Sequence, residues 1–106
     1  MFENSEKFPE GWFFIKNNSN GYVLMADNES QESGSHIVLS TLRTKDYNAQ
    51  LWRHDPQGYL VNKKSGQVMD VAKGKLLIYK VLQTNGKKPE VLCLKKGKIL
   101  IFIGVN

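Results

Sequence analysis

The chain has 106 residues, a formal net charge of +5, 41% apolar and 24% charged residues, and one cysteine. That length allows one domain with a modest core, the composition is that of an ordinary globular protein, and no apolar run approaches the roughly 20 residues of a membrane span. Cys93 has no second thiol for an internal disulfide, and the polar, acidic residues 1–7 do not read as a secretion signal, so a cytoplasmic setting is expected.

Residues 1–10 read as an N-terminal tail. Trp12-Phe13-Phe14-Ile15-Lys16 follows, rich in the aromatic and β-branched residues that strands favour. Asn17-Asn18-Ser19-Asn20-Gly21 is a turn by composition. Residues 22–26 form a second strand, 27–35 a polar loop without periodicity, and 37–42 a third strand. A short fourth strand, Gln50-Leu51-Trp52, leads to the turn Asp55-Pro56-Gln57-Gly58. The alternating run 58–62, the turn Lys63-Lys64-Ser65-Gly66 and the apolar run 66–71 then read as a hairpin, with one carboxylate, Asp70, inside its second strand. Further strands are expected at Val81-Leu82-Gln83-Thr84 and at 97–101. No segment sustains a 3.6-residue apolar period, so little helix is expected.

The pattern repeats. Gly11-Trp12-Phe13-Phe14-Ile15-Lys16 matches Gly58-Tyr59-Leu60-Val61-Asn62-Lys63 at an offset of 47, and Asn20-Gly21-Tyr22-Val23-Leu24 matches Ser65-Gly66-Gln67-Val68-Met69 at an offset of 45. The difference implies two extra residues in the first turn. Gln50-Leu51-Trp52 matches Glu90-Val91-Leu92 in shape and apolarity at an offset of 40. Repetition at such a period marks an architecture of stacked or symmetric units.

These residues resemble a known family. Gln50-Leu51-Trp52 resembles the QxW repeat of ricin-type (R-type) lectins, and Gly66-Gln67-Val68-Met69-Asp70-Val71 resembles that family's sugar-binding subdomain. The resemblance implies an all-β, β-trefoil-like fold over residues 11–106, with repeat units at about 11–57 and 58–96 and the opening strand of a third at 97–106. A trefoil so shortened would leave strand edges open, so self-association into a homo-oligomer is expected. The run Ile99-Leu100-Ile101-Phe102-Ile103 would be an aggregation hazard if left uncovered.

The resemblance also implies non-catalytic binding of glycans, of galactose type among family members. Asp70 would occupy the carboxylate position, accepting hydrogen bonds from sugar hydroxyls. Counting onward as in the family places Gln83 at the amide position and Asn85 where a stacking aromatic usually sits. Asn85 cannot stack; Tyr79, from a loop, is the substitute. The competing reading of Asp70 is a carboxylate that caps backbone N–H groups after a strand. In the first unit Met25 takes the carboxylate position, with Leu39 and Thr41 at the other two, so that unit has lost its site unless Asp27 rescues it. Gln50 and Trp52 are expected in the core, and Trp12 is expected half buried.

No cofactor and no enzyme are expected. His36 and His54 are the only histidines, 18 positions apart, with one cysteine; this is neither a metal-ligand set nor a nucleophile–base pair. His54 reads as a polar turn residue. The charge is lopsided: residues 1–62 hold 5 Lys/Arg and 8 Asp/Glu, residues 63–106 hold 10 Lys and 2 Asp/Glu. Two rivals to the lectin reading follow, an anionic polymer bound through the lysine-rich half, and a trefoil that has lost sugar binding and serves as a protein-interaction scaffold.

Overall fold

The computed structural model describes residues 8–72, 75–80 and 100–105. Within them are eight strands: β1 (Phe13–Asn17), β2 (Val23–Ala26), β3 (Ile37–Ser40), β4 (Trp52–His54), β5 (Leu60–Asn62), β6 (Val68–Ala72), β7 (Lys75–Tyr79) and β8 (Leu100–Gly104). Two 3-10 turns, Asp27–Glu29 and Asn48–Gln50, are the helical elements among the described residues. All strand pairings are antiparallel, in the order β3-β2-β1-β4-β5-β6-β7, with β8 laid along β1. The all-β expectation holds. The strand expected at Gln50 does not: Gln50 closes the second 3-10 turn and the strand starts at Trp52.

Side-chain alternation explains the burial. Phe13 and Ile15 of β1 point into one core with Leu24, Ala26, Trp52, Leu60, Met69 and Ile78. Phe14, between them, points the other way, into a smaller cluster with Val23 and Leu51. Trp12, Tyr47, Ile103 and Val105 pack on that second cluster. β1 is therefore covered on both faces and bonded on both edges, which makes it the centre of the fold.

The two units match through their hairpin turns. Asn17 N donates to the Tyr22 carbonyl (2.7 Å) and Gly21 N to the Asn17 carbonyl (2.8 Å); Asn62 N donates to the Gln67 carbonyl (2.8 Å) and Gly66 N to the Asn62 carbonyl (2.9 Å). Lys16 pairs with Val23 as Val61 pairs with Val68. One offset of 45 runs through both hairpins, so the two turns have equal length. The two extra residues inferred for the first turn are not there. The glycine match at 11 and 58 misled because each glycine, at positive φ, stands two residues before its strand, and β1 is five residues long where β5 is three.

The units are joined by the loop between β2 and β3. Gly34 N donates to the Ile78 carbonyl, Ile78 N to the Ser35 carbonyl, Lys80 N to Ser33 Oγ, and the Gln67 side-chain amide to the Gln31 carbonyl. His36 forms an antiparallel bridge with Leu77. A stretch that carried no periodicity is thus the seam between units. The strand expected near residue 100 exists as β8 and is paired with β1 from Phe13–Gly104 to Asn17–Leu100.

Candidate functional site

Asp70 lies in the middle of β6. Its neighbour Met69 is buried in the main core, so Asp70 projects from the opposite, outward face, where it is half buried. β7 runs beside it, with Asp70 opposite Leu77 and Val68 opposite Tyr79. Ile78 and Leu76 pack on the core, which puts Leu77 and Tyr79 on the outward face with Asp70. Tyr79 is the diagonal neighbour of Asp70, a separation that long and aromatic side chains bridge.

This register sets which residues stand opposite Asp70. Ala72 pairs with Lys75, so only positions 73 and 74 separate the strands. In the first unit Ala26 pairs with Ile37 across a ten-residue loop. The strand facing Asp70 is Lys75–Tyr79, and Tyr79 is a strand residue, not a loop residue. Gln83 and Asn85, like the expected strand at 81–84, Glu90 and Cys93, lie outside the described residues.

In the first unit Met25 is the counterpart of Asp70 at the shared offset and faces Val38, with Ser40 two residues on. Leu39 packs against the core, and Thr41 is exposed, its carbonyl accepting from Gln50 Nε2 at 2.8 Å. Asp27 lines a cleft of about 390 Å³ with Met25, Asn28, Glu29, Val38 and Arg43. Glu29 is held there by Arg43 and by Lys64 of the second unit, both at 2.8 Å. Hydrogen bonds from the Arg43 guanidinium and then the Lys64 ammonium pull the Glu29 carboxyl down from 4.5 to about 2. Asn28 and Glu29 both sit at left-handed φ (54° and 56°), a backbone that non-glycine residues rarely adopt.

A second cleft, about 540 Å³, lies between Phe8, Pro9, Glu10, Arg53, His54 and Pro56. His54 ends β4 and stacks on Phe8 with centroids 4.5 Å apart, so it packs an aromatic ring where a plain turn residue was expected. The Asp55 carboxylate does not serve His54; its Oδ1 accepts from the Gln57 and Tyr59 amides and closes the turn. Beside this cleft, Arg53 and Lys63 stand 5.1 and 5.5 Å from the centroid of the half-buried Trp12 ring. Neither forms an ion pair among the described residues. Those residues also contain no cluster of three His, Cys, Asp or Glu side chains able to hold a metal, and no helix long and apolar enough to cross a membrane.

Comparison with known proteins points one way. The profile of the "ricin-type beta-trefoil lectin domain-like" family matches residues 2–76. The solution structure of the mdaA-1 domain is 77% identical, with a TM-score of 0.67, over 76% of this chain and 53% of that one. The earthworm R-type lectin C-half, crystallised with GalNAc, is 27% identical with a TM-score of 0.59, over 66% of this chain and 54% of that one. Mucoricin of Rhizopus delemar is 41% identical over 61 residues, 57% of this chain. The chain spans about half the length of the two structures and 41% of Mucoricin.

Proposed function

Because the chain belongs to the ricin-type β-trefoil lectin family, we propose that it is a non-catalytic carbohydrate-binding domain whose saccharide site is the outward face of the β6–β7 hairpin. The observation that carries this reading is the register that sets Asp70, Leu77 and Tyr79 on one surface. An ionised carboxylate is an acceptor for two neighbouring hydroxyls and makes the stronger, charge-assisted kind of hydrogen bond. A half-buried tyrosine offers a flat apolar body beside it and a polar tip. Galactose-type sugars are the first ligands to try, since a similar lectin was crystallised with GalNAc. A solvated site of this kind is expected to bind in the millimolar range, about −4 kcal/mol.

The test is a galactose and GalNAc titration of the wild-type chain and of Asp70→Asn, which keeps the shape and removes the charge. Loss of binding by about tenfold or more, with an unchanged unfolding midpoint, supports the assignment. Undiminished binding removes Asp70 from the site.

A second reading is favoured by the Trp12 cluster. Arg53 and Lys63, unpaired with carboxylates among the described residues, are positioned to meet sulfate or carboxylate groups of an anionic polymer. Salt separates the readings. Affinity for a polyanion falls steeply between 50 and 200 mM salt in proportion to the charges neutralised, while neutral-sugar binding scarcely responds. Failure of both titrations by the folded chain leaves the protein-interaction scaffold.

A further inference from the structure

We propose that the saccharide site is composite, with the second unit supplying Asp70 and Tyr79 and the first unit supplying His36 across the seam between them. This inference rests on the reading of the β6–β7 face as a sugar-binding surface and extends it to a second sugar ring. The geometry is a row of three residues on three neighbouring strands. Leu77 is paired with Asp70 on one side and with His36 on the other. Directly paired residues of antiparallel strands project to the same face.

The face is fixed by what lies beneath. Ile37 and Leu39 on one side of the seam, and Leu76 and Ile78 on the other, pack on the main core. His36 and Leu77, one residue out of phase with them, point away from it. The His36 backbone is held at both edges: its carbonyl accepts from Asp27 N at 2.8 Å, and the bridge to Leu77 is flanked by the 3.0 Å bond from Ile78 N to the Ser35 carbonyl. The imidazole itself is exposed.

Two strand spacings put the backbones of His36 and Asp70 about 10 Å apart. Leu77, 9% exposed, lies between them as an apolar floor, with Tyr79 beside it. A single sugar ring held at Asp70 does not reach His36; the next ring of a disaccharide does. An imidazole carries two ring nitrogens able to hydrogen-bond, which suits a hydroxyl of that second ring. The ligand class is therefore a disaccharide or longer glycan ending in a galactose-type residue, with the terminal ring on Asp70 and Tyr79 and the penultimate ring against His36.

The experiment compares galactose with lactose on the full chain and on His36→Ala, His36→Gln and Asp70→Asn. The expected result is that His36→Ala weakens lactose about fivefold, the worth of one neutral hydrogen bond, and leaves galactose unchanged. His36→Gln, which keeps a donor and an acceptor, should recover most of the loss. Equal affinities of wild type and His36→Ala for lactose, with Asp70→Asn still abolishing galactose binding, overturn the composite site alone. Sugar binding that is indifferent to Asp70→Asn overturns the underlying reading, and this inference with it. Matching unfolding midpoints show that the variants are folded.

Discussion

Gln50 and Trp52 show why two side chains can define a unit. Trp52 is fully buried, and its indole N–H donates to the Leu24 carbonyl at 3.1 Å. Gln50, also fully buried, uses both ends of its amide: Nε2 donates to the Thr41 carbonyl and Oε1 accepts from Arg43 N at 3.0 Å. The pair ties the end of the unit to β2 and to the stretch after β3. Trp52→Ala should cost about 3–5 kcal/mol through the cavity it leaves. Gln50→Leu keeps the bulk but takes the partner from the part-buried Arg43 N–H and Thr41 carbonyl, at about 1–3 kcal/mol for the two bonds together. Urea unfolding at constant m-value measures both; a Gln50→Leu variant as stable as wild type would make the amide dispensable. These roles were readable from the sequence because the spacing of amide and indole is itself the signal. Asp70 was equally readable as a strand carboxylate. Its neighbours were not, because Leu77 and Tyr79 reach it through strand pairing, and pairing depends on a loop length that no residue near Asp70 announces.

At the scale of elements, the hairpin turns and the seam behave differently. The turns were written in composition: Gly21 and Gly66 hold φ of 78° and 71°, where a Cβ is disfavoured though no heavy atom lies within 4 Å. Gly66→Ala should therefore destabilise by about 1–2 kcal/mol from the backbone alone, read as a lowered urea midpoint. The seam was not legible, since residues 27–36 are polar and aperiodic, and their bonds are local turns together with pairing to the second unit that no periodicity announces. Glu29 is its electrostatic clasp, bonded to Arg43 in its own unit and Lys64 in the next. A carboxyl lowered from 4.5 to about 2 on folding stabilises the protein above pH 4.5, and that contribution is lost as the pH falls toward 2. Between those limits wild-type stability should drop more steeply than that of Glu29→Gln. Because the three side chains stay open to solvent, at 31% to 38% exposure, the difference should shrink in salt. Parallel curves for the two proteins would show that the clasp contributes nothing.

The whole molecule is set by β8. Val105 N donates to the Trp12 carbonyl at 3.1 Å, and the pairing runs on without a break to Asn17–Leu100. In an antiparallel ladder the residues of one strand alternate between bonding the partner and presenting their N–H to the other side. With Val105 bonded to Trp12, Gly104 presents its N–H outward. Among the described residues no strand pairs with that outer side. An unpaired edge is a template for a second strand, and addition of another copy there would join two saccharide faces into one multivalent binder, which raises avidity for clustered glycans without any new sugar contact. The expected outcome is an apparent mass that rises with protein concentration in light scattering. Gly104→Pro removes the outward N–H and leaves the bonds to β1 in place, as edge prolines do, so it should hold the chain monomeric while single-site sugar affinity stays at the wild-type value. A wild-type chain that remains monomeric at every concentration would place any multivalency outside this edge, and would leave β8 with the single task of covering Phe14 and the second cluster through Ile103.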